Sequence, residues 1–129
     1  MPHITVEYTA NIEGEAHIPL LLRKMNETLS TEEDVFPIGG IRSRAIKLTD
    51  YVIADNTRDD AFVHVTMKIG GGRPEVIKKR VTEKIFHVIE EHFSLLLQRR
   101  YIALSLELHE FHNPTYKKNN IHKRFQKEK

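Results

Sequence analysis

Met1-Pro2-His3-Ile4-Thr5-Val6-Glu7-Tyr8 puts Ile4, Val6 and Tyr8 on one side of an extended chain and His3, Thr5 and Glu7 on the other. That two-residue period marks a strand with one buried face. Pro2 stands directly before it. A methionine followed by so small a residue is usually removed, which would leave the proline ring nitrogen as a free secondary amine. An amine fixed at the end of a strand is a candidate general base or nucleophile. Met-Pro is a common beginning, so the rest of the chain has to supply the argument.

Beyond the first strand, Asn11-Ile12-Glu13-Gly14-Glu15 reads as a turn. A helix is expected from near His17, with Pro19 in its first turn, where a missing N–H costs little. Its apolar stripe is Ile18, Leu21, Leu22, Met25 and Leu29. An apolar loop, Val35-Phe36-Pro37-Ile38-Gly39-Gly40-Ile41, leads to a second strand expected from Arg42 to about Ile53, and residues 55–60 form a solvated loop. The plan then repeats. Ala61, Val63, Val65, Met67 and Ile69 alternate with polar neighbours, and Gly70-Gly71-Gly72-Arg73 is a turn. Pro74 opens a helix expected to reach about Arg99, with Ile77, Val81, Ile85, Val88, Ile89, His92 and Leu96 as its stripe. Ile102, Leu104, Leu106 and Leu108 mark a fourth strand.

The expected fold is therefore α/β (α+β): two consecutive β-α-β units, residues 1–54 and 61–110, in one domain spanning 1–115, followed by a basic tail, 116–129. Crossover helices of this length make the strands within each half parallel. Both helices should then cover one face of a four-stranded mixed sheet. The other face carries Thr5, Phe62, His64, Thr66, Ala103 and Ser105, too mild for a fully solvated surface and too polar for a core. It is read either as an ordinary mixed exposed face or as a face buried between subunits.

The 129 residues suffice for one domain with a core of its own. No cysteine is present, which excludes disulfides, thiolate catalysis and zinc–thiolate sites. The absence of a leader pattern and of an apolar run near 18 residues points to a cytoplasmic protein without membrane partners. The net charge of +2 is unevenly spread. The tail holds six Lys/Arg against one acid, leaving the body at −3, so the basic balance does not mark the domain as a nucleic-acid binder. Within the tail, Ile121 and Phe125 are spaced to dock a short helix on a subunit, and residues 126–129 are expected to be disordered.

Two junctions carry the chemistry. Gly39-Gly40-Ile41-Arg42-Ser43-Arg44 enters the second strand, and Gly70-Gly71-Gly72-Arg73-Pro74 enters the long helix. A guanidinium is permanently charged and grips a carboxylate with two parallel bonds. Arg73 also lies at a helix N-terminus, which favours anions. Together they suggest a site for a substrate bearing more than one carboxylate; the alternative is glycines serving turns beside solvated arginines. The eight histidines lack metal-ligand spacing: His109-Glu110-Phe111-His112 is not HExxH, and His87 and His92 do not share a helical face.

In order along the chain, Met1-Pro2-His3-Ile4, Phe36-Pro37, Gly40-Ile41-Arg42-Ser43-Arg44, Ala61-Phe62-Val63-His64, Lys68-Ile69-Gly70 with Arg73, Ala103-Leu104-Ser105 and Asn119-Asn120-Ile121-His122 resemble the 5-carboxymethyl-2-hydroxymuconate isomerase family of the tautomerase superfamily. The resemblance implies a tautomerase/MIF-like fold, a homotrimer, and an isomerase that needs neither metal nor organic cofactor. It implies Pro2 as the catalytic base, with Arg42 and Arg73 at the substrate. The implied reaction is a 1,3 keto–allylic proton shift on a dicarboxylate or tricarboxylate dienol in homoprotocatechuate (4-hydroxyphenylacetate) degradation. 5-Carboxymethyl-2-hydroxymuconate becomes 5-carboxymethyl-2-oxo-hex-3-enedioate. Two other readings stay open: a tautomerase of a different 2-hydroxydienoate or enol, and a non-enzymatic binding module acting through the basic tail.

Overall fold

A computed structural model describes residues 1–126. Four strands, β1 (His3–Thr9), β2 (Arg42–Leu48), β3 (Ala61–Gly70) and β4 (Ile102–Phe111), form one sheet in the order β2-β1-β3-β4. β1 runs parallel to β2, β3 runs parallel to β4, and the central pair β1–β3 is antiparallel. This is the expected mixed sheet of two β-α-β units. The helices α1 (Glu13–Ala16), α2 (Ile18–Ser30), α3 (Glu75–His92) and α4 (Ser94–Arg99) complete the chain, together with short 3-10 turns at Ala10–Ile12, Ile38–Gly40 and Ile121–Phe125.

Alternation decides which face is buried. Ile4, Val6 and Tyr8 of β1 and Val63, Val65 and Met67 of β3 form one core cluster with Leu21, Met25 and Leu29 of α2 and with Val81, Ile85 and Ile89 of α3. Both long helices thus lie on the same side of the sheet. The opposite side is organised by register, because residues paired across strands share a face. One row runs Arg42, His3, Lys68, His109; the next runs Arg44, Thr5, Thr66, Glu107; a third runs Ile46, Glu7, His64, Ser105. Phe62 lies at the far end, where the Tyr51 ring meets it edge-on at 6.5 Å.

Three expectations need correction. β2 stops at Leu48 and does not continue to Ile53, because its neighbour β1 ends at Thr9, the partner of Leu48, and offers nothing further to pair with. The segment then turns away, with Ala54 and Asn56 in left-handed conformation (φ 53° and 59°). The long helix is interrupted at Phe93, whose ψ of 14° leaves the helical range while its ring is fully buried. Phe93 thereby enters the core, and α4 resumes with Leu96 inward and Leu95 and Leu97 exposed. Residues 11–15 are more ordered than a turn: the 3-10 segment and α1 bury Ile12 and Ala16 before His17 (φ 46°) redirects the chain into α2.

The tail returns to its own chain. Asn119 Nδ2 donates to the Gly39 carbonyl at 2.9 Å, and Ile121–Phe125 packs beside Ile38–Gly40. Of residues 126–129, expected to be disordered, Gln126 is described and extended, and 127–129 lie outside the described residues. Among the described residues no helix is long and apolar enough to cross a membrane.

Candidate active site

Pro2 is buried at the start of β1, on the core side with Ile4. Its carbonyl accepts the Arg42 N–H at 3.3 Å, and the next pair, His3 with Arg42, begins the parallel ladder. The N-terminus is therefore tied to the entrance of β2, and a residue there cannot wander as a free tail would.

Arg42 pairs with His3, so its side chain leaves on the open face of the sheet, opposite to Pro2. Arg73 reaches the same end of the sheet from the helical side. Gly72 makes that approach possible with φ 98°, a conformation side chains rarely adopt. Pro74 then caps α3 and accepts the Ile77 and Lys78 N–H groups through its carbonyl. The Arg73 guanidinium donates to the Gly70 carbonyl at 2.8 Å and to the Val35 carbonyl at 3.3 Å, with its centre 4.9 Å above the Phe36 ring. Phe36 is fully buried and its N–H bonds to the Glu32 carbonyl at 2.8 Å, so the platform beneath Arg73 is rigid.

The turn Ile38–Gly40 closes the site between the N-terminus and the tail. A Cβ placed on Gly40 would lie 3.0 Å from Met1 Cγ and 3.6 Å from His122 Cε1; one on Gly39 would lie 2.7 Å from His122 Nδ1. Gly39 requires the absence of a side chain for reasons of space, because the His122 backbone also lies 3.0 Å away; Gly40 is tight only against the Met1 side chain. The Met1 α-amine is held below its ordinary pKa, first by burial and then by the positive charges of Lys117, Arg73 and Arg42. Three cations thus act on one partly desolvated amine. His3 is lowered as well, by burial, then by Arg44 and Arg42, and then by the N-terminus and Lys68. Arg44 donates to His3 Nδ1 at 3.2 Å, which leaves the imidazole proton on Nε2.

Of the three residues singled out in the sequence, Pro2 and Arg42 lie side by side at the start of β1 and β2, Arg42 leaving on the open face, while Arg73 is held on Gly70, Val35 and Phe36. The apolar loop around Phe36 to Ile38, read from the sequence as the element that would set substrate choice, supplies the ring beneath Arg73. Lys117 was not singled out, since a lysine within a basic tail shows no spacing that ties it to the N-terminus. The histidines lie elsewhere. His92 Nε2–H donates to the Ala16 carbonyl at 2.6 Å while Lys24 donates to its Nδ1 at 3.2 Å, a bridge between α1, α2 and α3. His64 bonds Ser105 and Glu107 on the open face. Among the described residues no group of three or more His, Asp or Glu is arranged to hold a metal ion. A cleft of about 550 Å³ lined by Thr82, Phe86, His87, Leu104 and Leu106 follows the β4 edge, two strands from β1, and contains none of these site residues.

The family model of 5-carboxymethyl-2-hydroxymuconate isomerase matches residues 2–125. The chain is 42% identical over 127 residues to the 5-carboxymethyl-2-hydroxymuconate Delta-isomerase of Escherichia coli, covering 97% of this chain and 99% of that protein. The crystal structure of a 5-carboxymethyl-2-hydroxymuconate isomerase from Deinococcus radiodurans R1 superposes with a TM-score of 0.93 at 46% identity, over 98% of this chain and 95% of the other. A second crystal structure, of a 5-carboxymethyl-2-hydroxymuconate delta-isomerase, gives 0.90 at 26% identity, over 100% and 95%.

Proposed function

The chain belongs to the 5-carboxymethyl-2-hydroxymuconate isomerase family, and from that premise we propose that Pro2, freed by removal of Met1, is the general base of the reaction, with Arg42 and Arg73 holding substrate carboxylates. The protein is an isomerase that converts 5-carboxymethyl-2-hydroxymuconate to 5-carboxymethyl-2-oxo-hex-3-enedioate, a reaction requiring only the relocation of a proton. What supports the residue assignment is the place of Pro2 at the entrance of β2, its carbonyl accepting the Arg42 N–H at 3.3 Å, one residue from a Met1 amine on which Lys117, Arg73 and Arg42 act.

A free α-amine has an ordinary pKa of about 8, and a secondary amine is more basic than a primary one. Burial and adjacent positive charge both disfavour protonation, so a proline amine exposed by removal of Met1, buried and one residue from where those charges act, would keep a fraction of itself unprotonated. The neutral amine removes the 2-hydroxyl proton of the dienol, or the C3 proton of its keto tautomer. Either route leaves the same dienolate, its charge shared among O2, C3 and C5. Delivery of the proton to C5 gives the 3-ene product, and the amine returns to its starting state.

Arg42 and Arg73 flank the amine from opposite sides of the sheet, an arrangement suited to an extended conjugated diacid laid across its end. The same charges favour electron density building on O2, where fixed donors are worth most in a site screened from water. The residue before the amine matters equally: with Met1 in place the Pro2 nitrogen is an amide and has no basic lone pair.

Pro2→Ala leaves a primary amine at the same place and should lower kcat/KM by about 10²-fold or more. Intact mass of each sample establishes whether Met1 is gone. Turnover within a few-fold of the parent, or full activity in a sample that retains Met1, would remove Pro2 from the mechanism. The functional unit in this reading is a homotrimer.

A further inference from the structure

We propose that the space filled by the Met1 side chain beside Gly40 and the His122 imidazole becomes, once Met1 is gone, the slot that seats the conjugated carbon chain of the substrate, with Gly40 and His122 as its specificity-determining walls. This rests on the reading of Pro2 as a base freed by removal of Met1. It extends that reading from the proton shift to the seating of the reacting carbons.

The surroundings of Met1 carry the argument. A Cβ on Gly40 would stand 3.0 Å from Met1 Cγ, 3.8 Å from Met1 Cα and 3.6 Å from His122 Cε1. The Met1 side chain and one edge of the imidazole therefore border the same space above the Gly40 backbone. Met1 is bonded to the Pro2 nitrogen, so the lone pair created by its removal points into the space it leaves. A carbon that exchanges a proton with that nitrogen has to sit there, within about 3–3.5 Å. The space already accommodates the unbranched thioether chain of a methionine, a width suited to an unbranched conjugated chain.

The wall is apolar by orientation. His122 Nδ1 lies against Gly39, 2.7 Å from where a Cβ on that residue would stand, and the Asn119 Nδ2–H reaches toward His122 Nε2 at 3.4 Å. Both ring nitrogens are thereby turned to their own surroundings, and the C–H edge at Cε1 is presented to Gly40. Such an edge packs against carbon and offers a carboxylate no strong donor, which leaves the carboxylates to Arg42 and Arg73. The ring is held by the strap that leaves β4 at Phe111 and returns across the Ile38–Gly40 turn, where Asn119 Nδ2 also donates to the Gly39 carbonyl at 2.9 Å. His122 also borders a cavity of about 590 Å³ with Pro37, Ile38 and Phe125, so loss of the ring would open the slot toward it.

cis,cis-Muconate, a planar six-carbon diacid without the 2-hydroxyl and therefore without the reaction, reports on seating alone. Calorimetric titration with it should give an affinity about tenfold lower, or worse, for the chain that retains Met1 than for the Met-free enzyme. Met1→Gly, released from a fusion at position 1, keeps Pro2 as an amide but puts no side chain in the slot. It should turn nothing over and still bind muconate within about threefold of the Met-free enzyme. Gly40→Ala narrows the slot directly, since Gly40 is not at positive φ and the added methyl is tight only against Met1. In the Met-free enzyme it should raise KM for 5-carboxymethyl-2-hydroxymuconate about tenfold, the size one carbon makes in a fitted pocket, with the pH dependence of kcat unchanged. His122→Ala should raise KM about fivefold with kcat and the far-UV spectrum near those of the parent. Equal muconate affinity with and without Met1, Met1→Gly binding as weakly as the Met-retaining chain, or an unchanged KM in Gly40→Ala would overturn the proposal. Failure of the base assignment reads differently: Pro2→Ala would then keep the parental kcat, whatever the muconate affinities show.

Discussion

Arg73 is partly engaged before any substrate arrives. Two of its N–H groups donate to the Gly70 and Val35 carbonyls, and its plane rests on Phe36. These contacts need a flat, forked cation; an ammonium can neither bridge two separated carbonyls in one plane nor stack on a ring in the same way. Arg73→Lys keeps the charge and should still lower kcat/KM by about 10²-fold, because the remaining charge is no longer aimed. Kinetics of that variant beside Arg73→Ala would check it: if lysine retains parental activity while alanine does not, charge alone is sufficient and the held geometry is irrelevant. The glycine–arginine junction was visible in the sequence because three glycines run directly into Arg73, and the structure puts Gly72 at positive φ. Lys117 was not visible, since only the return of the strap to Gly39 brings it to the N-terminus.

At the scale of elements, two ionisable side chains hold the helical layer together. His92 joins α3 to Ala16 and Lys24, and burial, its largest influence, keeps its pKa below the ordinary histidine value. Lys24 and His17 also lower it, while hydrogen bonds to the backbone at Ala16 and His17 oppose this. Glu32 accepts from Arg80 at 2.8 and 3.2 Å and from Lys84 at 2.8 Å, hydrogen bonds that hold its carboxyl below the usual range and tie the end of α2 to α3. The signs follow from proton uptake on unfolding. Between about pH 6.5 and the lower folded value of His92, the unfolded chain binds more protons, so stability falls as pH falls through that window. The Glu32 contribution is complete above about pH 4.3 and is lost only as pH drops through its own depressed value. Urea midpoints should therefore decline in two stages on acidification, and His92→Gln should flatten the first stage relative to the parent. An unchanged slope in His92→Gln would assign that stage to another group, His3 among them.

The element pattern itself was largely readable. Alternation located all four strands, and the parallel pairings followed from the crossover helices. The errors came where tertiary context overrides local pattern. β2 ends because β1 ends, and the helix turns at Phe93 because a fully buried ring takes the backbone out of helical geometry. Neither cause is present in the residues next to the break.

For the whole molecule, the sheet poses a question that one chain leaves open. β2 and β4 are its outer strands, and bare edges invite pairing unless they are covered. Ile46 on β2 is 48% exposed and Tyr101 at the entrance to β4 is 73% exposed, although both are apolar enough to be buried. Contact of the β2 edge of one subunit with the β4 edge of the next is head-to-tail and closes into a ring when the rotation allows. Three subunits closed in this way would enclose the open faces, whose rows of Thr, His, Glu and Arg are too polar for a core yet milder than an ordinary surface. Arg42 lies on that face, so closure would also wall the substrate side of the site. The native mass in solution should accordingly be three times the 15.1 kDa of the chain. Ile46→Glu adds a charge at the proposed contact, beside Glu7 in the register, and should reduce the mass to that of one chain with the far-UV spectrum preserved. A single-chain mass for the unaltered protein would refute the trimer, and a threefold mass in Ile46→Glu would move the contact away from the β2 edge.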